Sequence, residues 1–254
     1  FGGNAQRIVT MNKLLKCYLI ILVHLILGVG NLVLFEKLKL PVWLNSSVVI
    51  FIVFVLINVA GNFLFKLNSE LKEYWSVKKL YFLLVGIVGG VLIAFLPMLL
   101  KLIFGKVSLA DIHFNYDVSL KAIILTLIIC GWEELWFRGL FLNYCNRYLS
   151  AINISLTIGL LFMLIHALNP EINLLKQGPG LFFAGSLLTI LYFYYKTIWL
   201  PIGLHFGNNF FGSRIDAGNS NDILFGQDGY IGAIILAVIF MVYLFKMRRQ
   251  TTGP

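Results

Sequence analysis

Apolar segments of near-membrane length recur along almost the whole chain, and they constrain its fold more than any other feature. Eight can be delimited: Leu15–Phe35, Val48–Phe65, Leu80–Phe104, Leu120–Phe141, Ile152–Leu168, Leu181–Tyr195, Ile198–Phe211 and Ile231–Phe245. A helix needs about 20 apolar residues to cross the bilayer core, where it satisfies its own backbone hydrogen bonds. The pattern predicts an all-α polytopic membrane protein with about eight transmembrane helices around a polar intramembrane cavity.

The composition agrees with this class. The 254 residues are 59% hydrophobic and 12% charged, whereas soluble globular domains contain about 25% charged residues. No long polar stretch divides the chain, so residues 13–249 are predicted to form a single helical membrane domain. Residues 1–12, which include Met11, are interpreted as a flexible or non-native N-terminal extension.

The net charge of +9 does not indicate a nucleic-acid-binding protein, because the basic residues are spread over short loops and chain ends. With eight spans and a cytoplasmic N-terminus, thirteen of the 20 Lys and Arg residues lie on the cytoplasmic side. This bias follows the positive-inside rule. The sequence therefore predicts a multi-pass integral membrane protein that contacts membrane lipid, with both termini in the cytoplasm.

Two adjacent carboxylates interrupt the fourth apolar segment. Glu133 and Glu134 lie in the run AIILTLIICGWEELWFRGLF, and Arg138 follows Glu134 by four residues. Ionisable groups at membrane depth are costly and usually mark a functional interior. The spacing favours a Glu134–Arg138 ion pair, and successive helical residues diverge by about 100°. We therefore expect Arg138 to hold Glu134 while Glu133 faces a different environment.

Two histidines on other apolar segments extend this polar set. His166 ends the fifth segment one turn after Phe162, and His205 in the seventh segment precedes Asn209 by one turn. Each such group is costly in lipid, so we expect them to share one cavity with Glu133. The set permits amide hydrolysis, because a carboxylate can exchange protons with water and the leaving amine. A histidine and an amide can donate hydrogen bonds to the oxyanion.

Three motifs on separate apolar segments together resemble a known family. They are Glu133-Glu134-x-x-x-Arg138, Phe162-x-x-x-His166 and His205-x-x-x-Asn209, intact and in order, with the flanking runs HALNP and IWLPIGLHF. The pattern is similar to that of the CPBP intramembrane proteases, which include the CAAX prenyl endopeptidases and bacterial Abi proteins linked to bacteriocin processing and immunity. The resemblance implies an intramembrane endopeptidase with a catalytic core at 119–212.

By this resemblance, Glu133 activates water with the help of His166, and His205 and Asn209 form the oxyanion hole. The Glu-Arg pair beside Glu133 supports the site. The substrate is a CAAX-type prenylated protein or a peptide or leader. No cofactor is favoured. Zinc is the alternative, with Glu133, His166 and His205 as ligands, because two histidines and a carboxylate form an accepted zinc site.

Two other functions stay open from the residues alone. A non-catalytic peptide-binding or bacteriocin-immunity membrane protein would keep the fold without needing Glu133. A transporter or proton relay would also use buried Glu and His. Nucleophilic catalysis needs a Ser or Cys beside a base, and Cys130, three residues before Glu133, is a weak candidate.

Overall fold

The computed structural model describes Leu15, Tyr74 and residues 76–115, 118–142, 149–167, 172–217 and 230–251. The predicted N-terminal extension 1–12 and the first two predicted spans, Leu15–Phe35 and Val48–Phe65, lie outside these residues, apart from Leu15 itself. The fold described below therefore concerns the chain from Tyr74 onward.

Six α-helices account for most of the described chain. They are α1 (Tyr81–Ile103), α2 (Leu120–Glu134), α3 (Ala151–His166), α4 (Leu174–Tyr195), α5 (Trp199–Gly212) and α6 (Tyr230–Thr251). A π-helix over Leu135–Phe141 continues α2 directly. Short 3-10 turns occupy Val77–Lys79 and Leu109–Asp111.

A small antiparallel ribbon was not predicted from the sequence. Strand β1 (Ile112–Phe114) pairs with β2 (Ile215–Ala217), and His113 lies opposite Asp216. The ribbon ties the loop before α2 to the segment after α5. Strands of three residues carry too little alternation to be recognised by pattern, and their pairing is decided by distant parts of the chain.

Among the described residues, three helices are long and apolar enough to cross a membrane, namely Val77–Ile103, Leu174–Tyr195 and Tyr230–Arg249. The α3 helix is apolar but shorter, and α5, with 14 residues, is roughly 21 Å long at the helical rise. The described chain is thus mostly helical, with candidate membrane spans, as predicted. The total of eight transmembrane helices stays a prediction.

The α4 helix begins earlier than the predicted start at Leu181. Asn173 caps the helix, because its side chain accepts hydrogen bonds from two backbone N–H groups of the first turn. Pro179 has no N–H to donate to the carbonyl of Leu175 four residues before it. The hydroxyl of Tyr230, the first residue of α6, donates to that carbonyl at 2.8 Å instead. The Gly-Pro-Gly run around Pro179 therefore lies inside the helix and does not interrupt it.

Glycines bring α1 and α5 into direct backbone contact. Gly86 and Gly90 on α1 face Gly203 and Gly207 on α5, and a Cβ at each of the four would overlap a backbone carbonyl oxygen of the facing helix. Small residues at this spacing allow the close approach that membrane helices use for packing. His205 is two residues from both Gly203 and Gly207, and a rotation of roughly 200° places it on the other side of the helix.

Candidate active site

Glu134 and Arg138 form a fully buried ion pair where α2 changes from α-helical to π-helical geometry. Arg138 Nη1 donates to Glu134 Oε1 at 3.0 Å, and both side chains have 0% exposure. Glu134 ends the α-helical part, and Arg138 lies within the π-helical turns. π-Helical turns are rare and occur frequently at functional sites. The structure contains the ion pair expected from the sequence spacing, whereas the π-helix was not predicted from the sequence.

The remaining nitrogens of Arg138 bind α4. Nη2 donates to the carbonyl oxygen of Gly185 at 2.7 Å, and Nε donates to Thr189 Oγ1 at 3.2 Å. The hydroxyl of Thr189 donates in turn to the Gly185 carbonyl at 2.8 Å. The planar guanidinium therefore joins three fixed acceptors. Gly185 and Thr189 were not predicted from the sequence as partners of Arg138. A small residue and a hydroxyl one turn apart in an apolar helix were the sequence signal that could have indicated them.

His205 on α5 lies between the two adjacent acids. Its Nδ1 is 2.9 Å from Glu134 Oε1. A carboxylate held by an arginine accepts hydrogen bonds, so Nδ1 carries the hydrogen and donates it. On the other side of the ring, Nε2 lies 3.8 Å from Glu133 Oε2. The bond to Glu134 was not expected from the sequence, which indicated only Asn209 as a partner of His205.

Glu133 faces a different environment from its neighbour. Its side chain is 15% exposed, whereas Glu134 is completely buried. The buried Oε2 atoms of both acids have no hydrogen-bond partner among the described residues. Buried polar atoms are normally satisfied, and exceptions call for an explanation. The geometry explains the exception at Glu133, because its Oε2 can accept a proton or a hydrogen bond from a bound molecule.

A cavity of about 250 Å³ lies beside His205 and brings in the second histidine. Phe162, His166, His205 and Asn209 all line it, whereas Glu133 does not. His166 Nδ1 donates to the Phe162 carbonyl oxygen at 2.8 Å, because a carbonyl oxygen only accepts. The Phe162 ring lies 4.4 Å from the His166 ring and 5.8 Å from the His205 ring, measured between centroids. Three of the four predicted catalytic residues, His166, His205 and Asn209, thus line one cavity, and Glu133 is connected to it through His205.

The amide of Asn209 is oriented by its neighbour. Asn208 Nδ2 donates to Asn209 Oδ1 at 3.2 Å, and both side chains are exposed. With its oxygen accepting from Asn208, the amide nitrogen of Asn209 is the atom that donates. Asn208 also lines the cavity. The sequence analysis missed it, although two consecutive asparagines in an apolar helix were a visible signal.

A family model described as "Type II CAAX prenyl endopeptidase Rce1-like" matches residues 116–211. These residues, called the Rce1-like domain below, are similar to that family. The resemblance to the CPBP family, predicted from the three motifs, is confirmed by this match, and all six predicted site residues lie within it. No curated protein and no solved structure matches the chain. The match supports a CAAX-type intramembrane protease.

Zinc binding by Glu133, His166 and His205 is the alternative that the sequence leaves open. No three His, Cys, Asp or Glu side chains cluster in a way that could hold a metal ion within the described parts of the chain. The Glu134 oxygen nearest to His205 already accepts from that ring and from Arg138.

Proposed function

We propose that this protein is an intramembrane endopeptidase that hydrolyses a peptide bond with water activated by Glu133. The substrate is a CAAX-type prenylated protein or a peptide or leader. The observation that carries the proposal is the position of His205, which contacts both acids and lines the cavity shared with His166 and Asn209. The family match over the same residues supports it.

Glu133 is the general base in the proposed reaction. Its carboxylate takes a proton from water as the water oxygen bonds to the substrate carbonyl carbon. His166 assists, because its Nδ1–H is engaged by the Phe162 carbonyl and leaves Nε2 to accept a hydrogen bond from that water. The proton then passes from Glu133 to the leaving nitrogen as the C–N bond breaks, which regenerates the carboxylate.

His205 and Asn209 are the proposed donors to the oxyanion. Because Nδ1 of His205 donates to Glu134, Nε2 can donate only when the ring is doubly protonated. The positive charge then lies between Glu133 and Glu134, and a donor of this kind forms a stronger, charge-assisted hydrogen bond. Arg138 holds Glu134, so the pair orients the ring.

The proposed membrane arrangement keeps the eight spans and a single helical domain over 13–249. The spans Leu15–Phe35 and Val48–Phe65 would precede the described helices, and both termini would lie in the cytoplasm. We also propose that no metal takes part in the reaction. The chemistry of Asn209 supports this last point, because its amide, one turn after His205, suits donation to an oxyanion better than metal binding.

Cleavage by the purified protein tests the proposal. Wild type and Glu133→Gln are compared on a prenylated CAAX peptide and on an unprenylated apolar peptide. The amide of glutamine keeps the size of the side chain but cannot take the proton, so we expect kcat to fall at least about 100-fold. Asp216→Asn makes the same chemical change at an exposed residue of β2 and should retain full activity.

The two ways in which this test can fail are different. Full activity of Glu133→Gln, with equal amounts of folded protein, would show that Glu133 is not the base. Binding of peptides by wild type without any cleavage would instead indicate a non-catalytic peptide-binding protein.

A further inference from the structure

Two helices outside the Rce1-like domain complete the cavity. Its lining includes Ala94 and Pro97 of α1, and Gly232, Ala233, Ile235 and Leu236 of α6. Neither helix belongs to residues 116–211, which carry the family match. The predicted catalytic residues all lie inside that match. One side of the cavity is therefore lined by predicted catalytic residues, and another side is a wall formed by α1 and α6, outside the family match.

The wall from α1 and α6 is apolar and built partly from small residues. Ala94 and Ala233 are 7% and 4% exposed, and no Asp, Glu, Lys or Arg is among the described residues that line the cavity. Placing a charged group there without a partner would be costly. Small side chains leave room beside the polar residues of α3 and α5. Both features suit an uncharged apolar group of a substrate.

The position of α6 is fixed at both ends, so its part of the wall is not a loose surface. Near the start, the Tyr230 hydroxyl donates to the Leu175 carbonyl of α4 at 2.8 Å. Near the end, the hydroxyls of Tyr195 and Tyr243 are hydrogen-bonded at 2.9 Å. Between them, Phe240 is 3% exposed and packs into the core shared with α4. A wall held in this way can select substrates by size.

We propose that α1 and α6 form a specificity pocket for an uncharged apolar side chain of the peptide substrate, next to the scissile bond. Ala94, Ala233 and Leu236 contact that side chain. The inference rests on the proposed proteolysis. The whole cavity of about 250 Å³ must hold both the scissile peptide group and this side chain, so an added aromatic ring in the wall excludes large side chains first.

The experiment pairs two neighbouring substitutions on α6. Ala233→Phe fills the cavity, whereas Ile234→Phe is the matched control on a side chain that is 60% exposed and does not line it. After the cleavage site is mapped by mass spectrometry, peptides carrying Ala, Leu, Phe or Asp at each flanking position are compared. We expect wild type to disfavour Asp, and Ala233→Phe to lower kcat/KM for the Phe peptide at least about tenfold more than for the Ala peptide.

An enlarging substitution gives a second, opposite readout. Leu236→Ala removes bulk from the same wall and should improve the Phe peptide relative to the Ala peptide, while Ile234→Phe should leave the wild-type preferences unchanged. Equal effects of Ala233→Phe on all peptides, together with no shift in Leu236→Ala, would overturn the pocket. A loss of cleavage by Ala233→Phe that is confined to prenylated peptides would also overturn the proposed pocket, because the wall would then hold the lipid.

These outcomes are separate from failure of the proposed function. If wild type cleaves and Glu133→Gln does not, the protease assignment stands whatever the α6 variants do. If wild type cleaves no peptide, the protease assignment itself fails.

Discussion

At the residue scale, the site depends on one carboxylate oxygen with two donors. Glu134 Oε1 accepts from Arg138 at 3.0 Å and from His205 at 2.9 Å. Hydrogen bonds between charged partners are stronger than neutral ones, and all three side chains are buried. Glu134 therefore sets the orientation of His205 and keeps a hydrogen on its Nδ1. In the proposed reaction, its neighbour Glu133 carries out the proton transfer.

Removal of Arg138 should damage folding as well as activity. Arg138→Met keeps much of the length of the side chain but leaves Glu134 buried without its cation. Breaking a buried pair in this way costs about 3–5 kcal/mol of stability. The measurement is thermal unfolding in detergent, with Arg249→Met, at an exposed arginine near the end of α6, as the control. Unchanged unfolding of Arg138→Met would show that the pair does not stabilise the fold.

Activity should survive thorough chelation. The amide one turn after His205 belongs to Asn209, which suits donation to an oxyanion better than metal binding. We expect dialysis against a strong chelator to leave the cleavage rate within about twofold of the untreated enzyme, since an oxyanion hole of hydrogen-bond donors needs no metal. Elemental analysis provides the control. Stoichiometric zinc, with activity lost on removal and restored on addition, would contradict the prediction.

At the element scale, the contact between α1 and α5 positions the histidine. The glycines of α5 meet the backbone of α1 on one side, so the opposite side of a short helix carries His205 toward α2. Arg138 holds the end of α2 against α4 through its hydrogen bonds to Gly185 and Thr189. The site is therefore assembled by pairs of helices in contact and not by a single segment.

Gly207→Ala should destabilise the protein and lower its activity. The added methyl group would overlap the carbonyl oxygen of Ile87 on α1. A backbone oxygen cannot relieve this overlap by changing rotamer. Overpacking of this kind costs about 1–3 kcal/mol. Gly131→Ala is the control in α2, since a Cβ there meets nothing within 4 Å, and it should gain up to about 1 kcal/mol of helix propensity. Equal unfolding temperatures for the two variants would be evidence against close α1–α5 packing.

At the scale of the whole molecule, one end of the bundle is basic and aromatic. The Lys79 ammonium, before α1, donates to the carbonyl of Lys196 after α4 at 2.8 Å. At the end of α6, the Lys246 ammonium lies 5.0 Å from the Tyr243 ring centroid, and Tyr243 is hydrogen-bonded to Tyr195. Basic residues and tyrosines together are typical of the cytoplasmic membrane interface.

The sides of the molecule are apolar. Leu84, Val88 and Leu92 on α1, with Ile234 and Val238 on α6, are 58–67% exposed. Contiguous apolar surface of this kind would be a liability in water. In a bilayer it is the surface expected to contact the lipid chains, in agreement with the candidate spans.

Single cysteines at the two ends of α4 should be labelled from opposite sides of the membrane. The helix has 22 residues, or roughly 33 Å, enough to cross the bilayer core. In a background without the native cysteines, we expect Lys196→Cys to react from the cytoplasmic side and Leu175→Cys from the other side with an impermeant maleimide. Labelling after permeabilisation is the control. Reaction of both cysteines from one side would show that α4 does not span.

Much of the helical framework could be predicted because it is local. An apolar run bounded by polar residues reports where a helix lies, and the predicted Leu80–Phe104 and Ile198–Phe211 differ from α1 and α5 by one residue at each end. The start of α4 was predicted less well, because the helix begins at Leu174 and continues through Pro179. Its freed carbonyl is satisfied by Tyr230 of α6, which no local pattern reports.

The same distinction between local and long-range contacts applies to the site. The sequence by itself determined that Glu134 can meet Arg138, because four residues of helix bring any such pair together. Only the tertiary structure decided that Glu134 also meets His205, 71 residues away, and that Arg138 meets Thr189, 51 residues away. These contacts exist because the packing of α5 against α1 turns His205 toward α2 and because buried charges must find partners. Spacing along the chain determines neither condition.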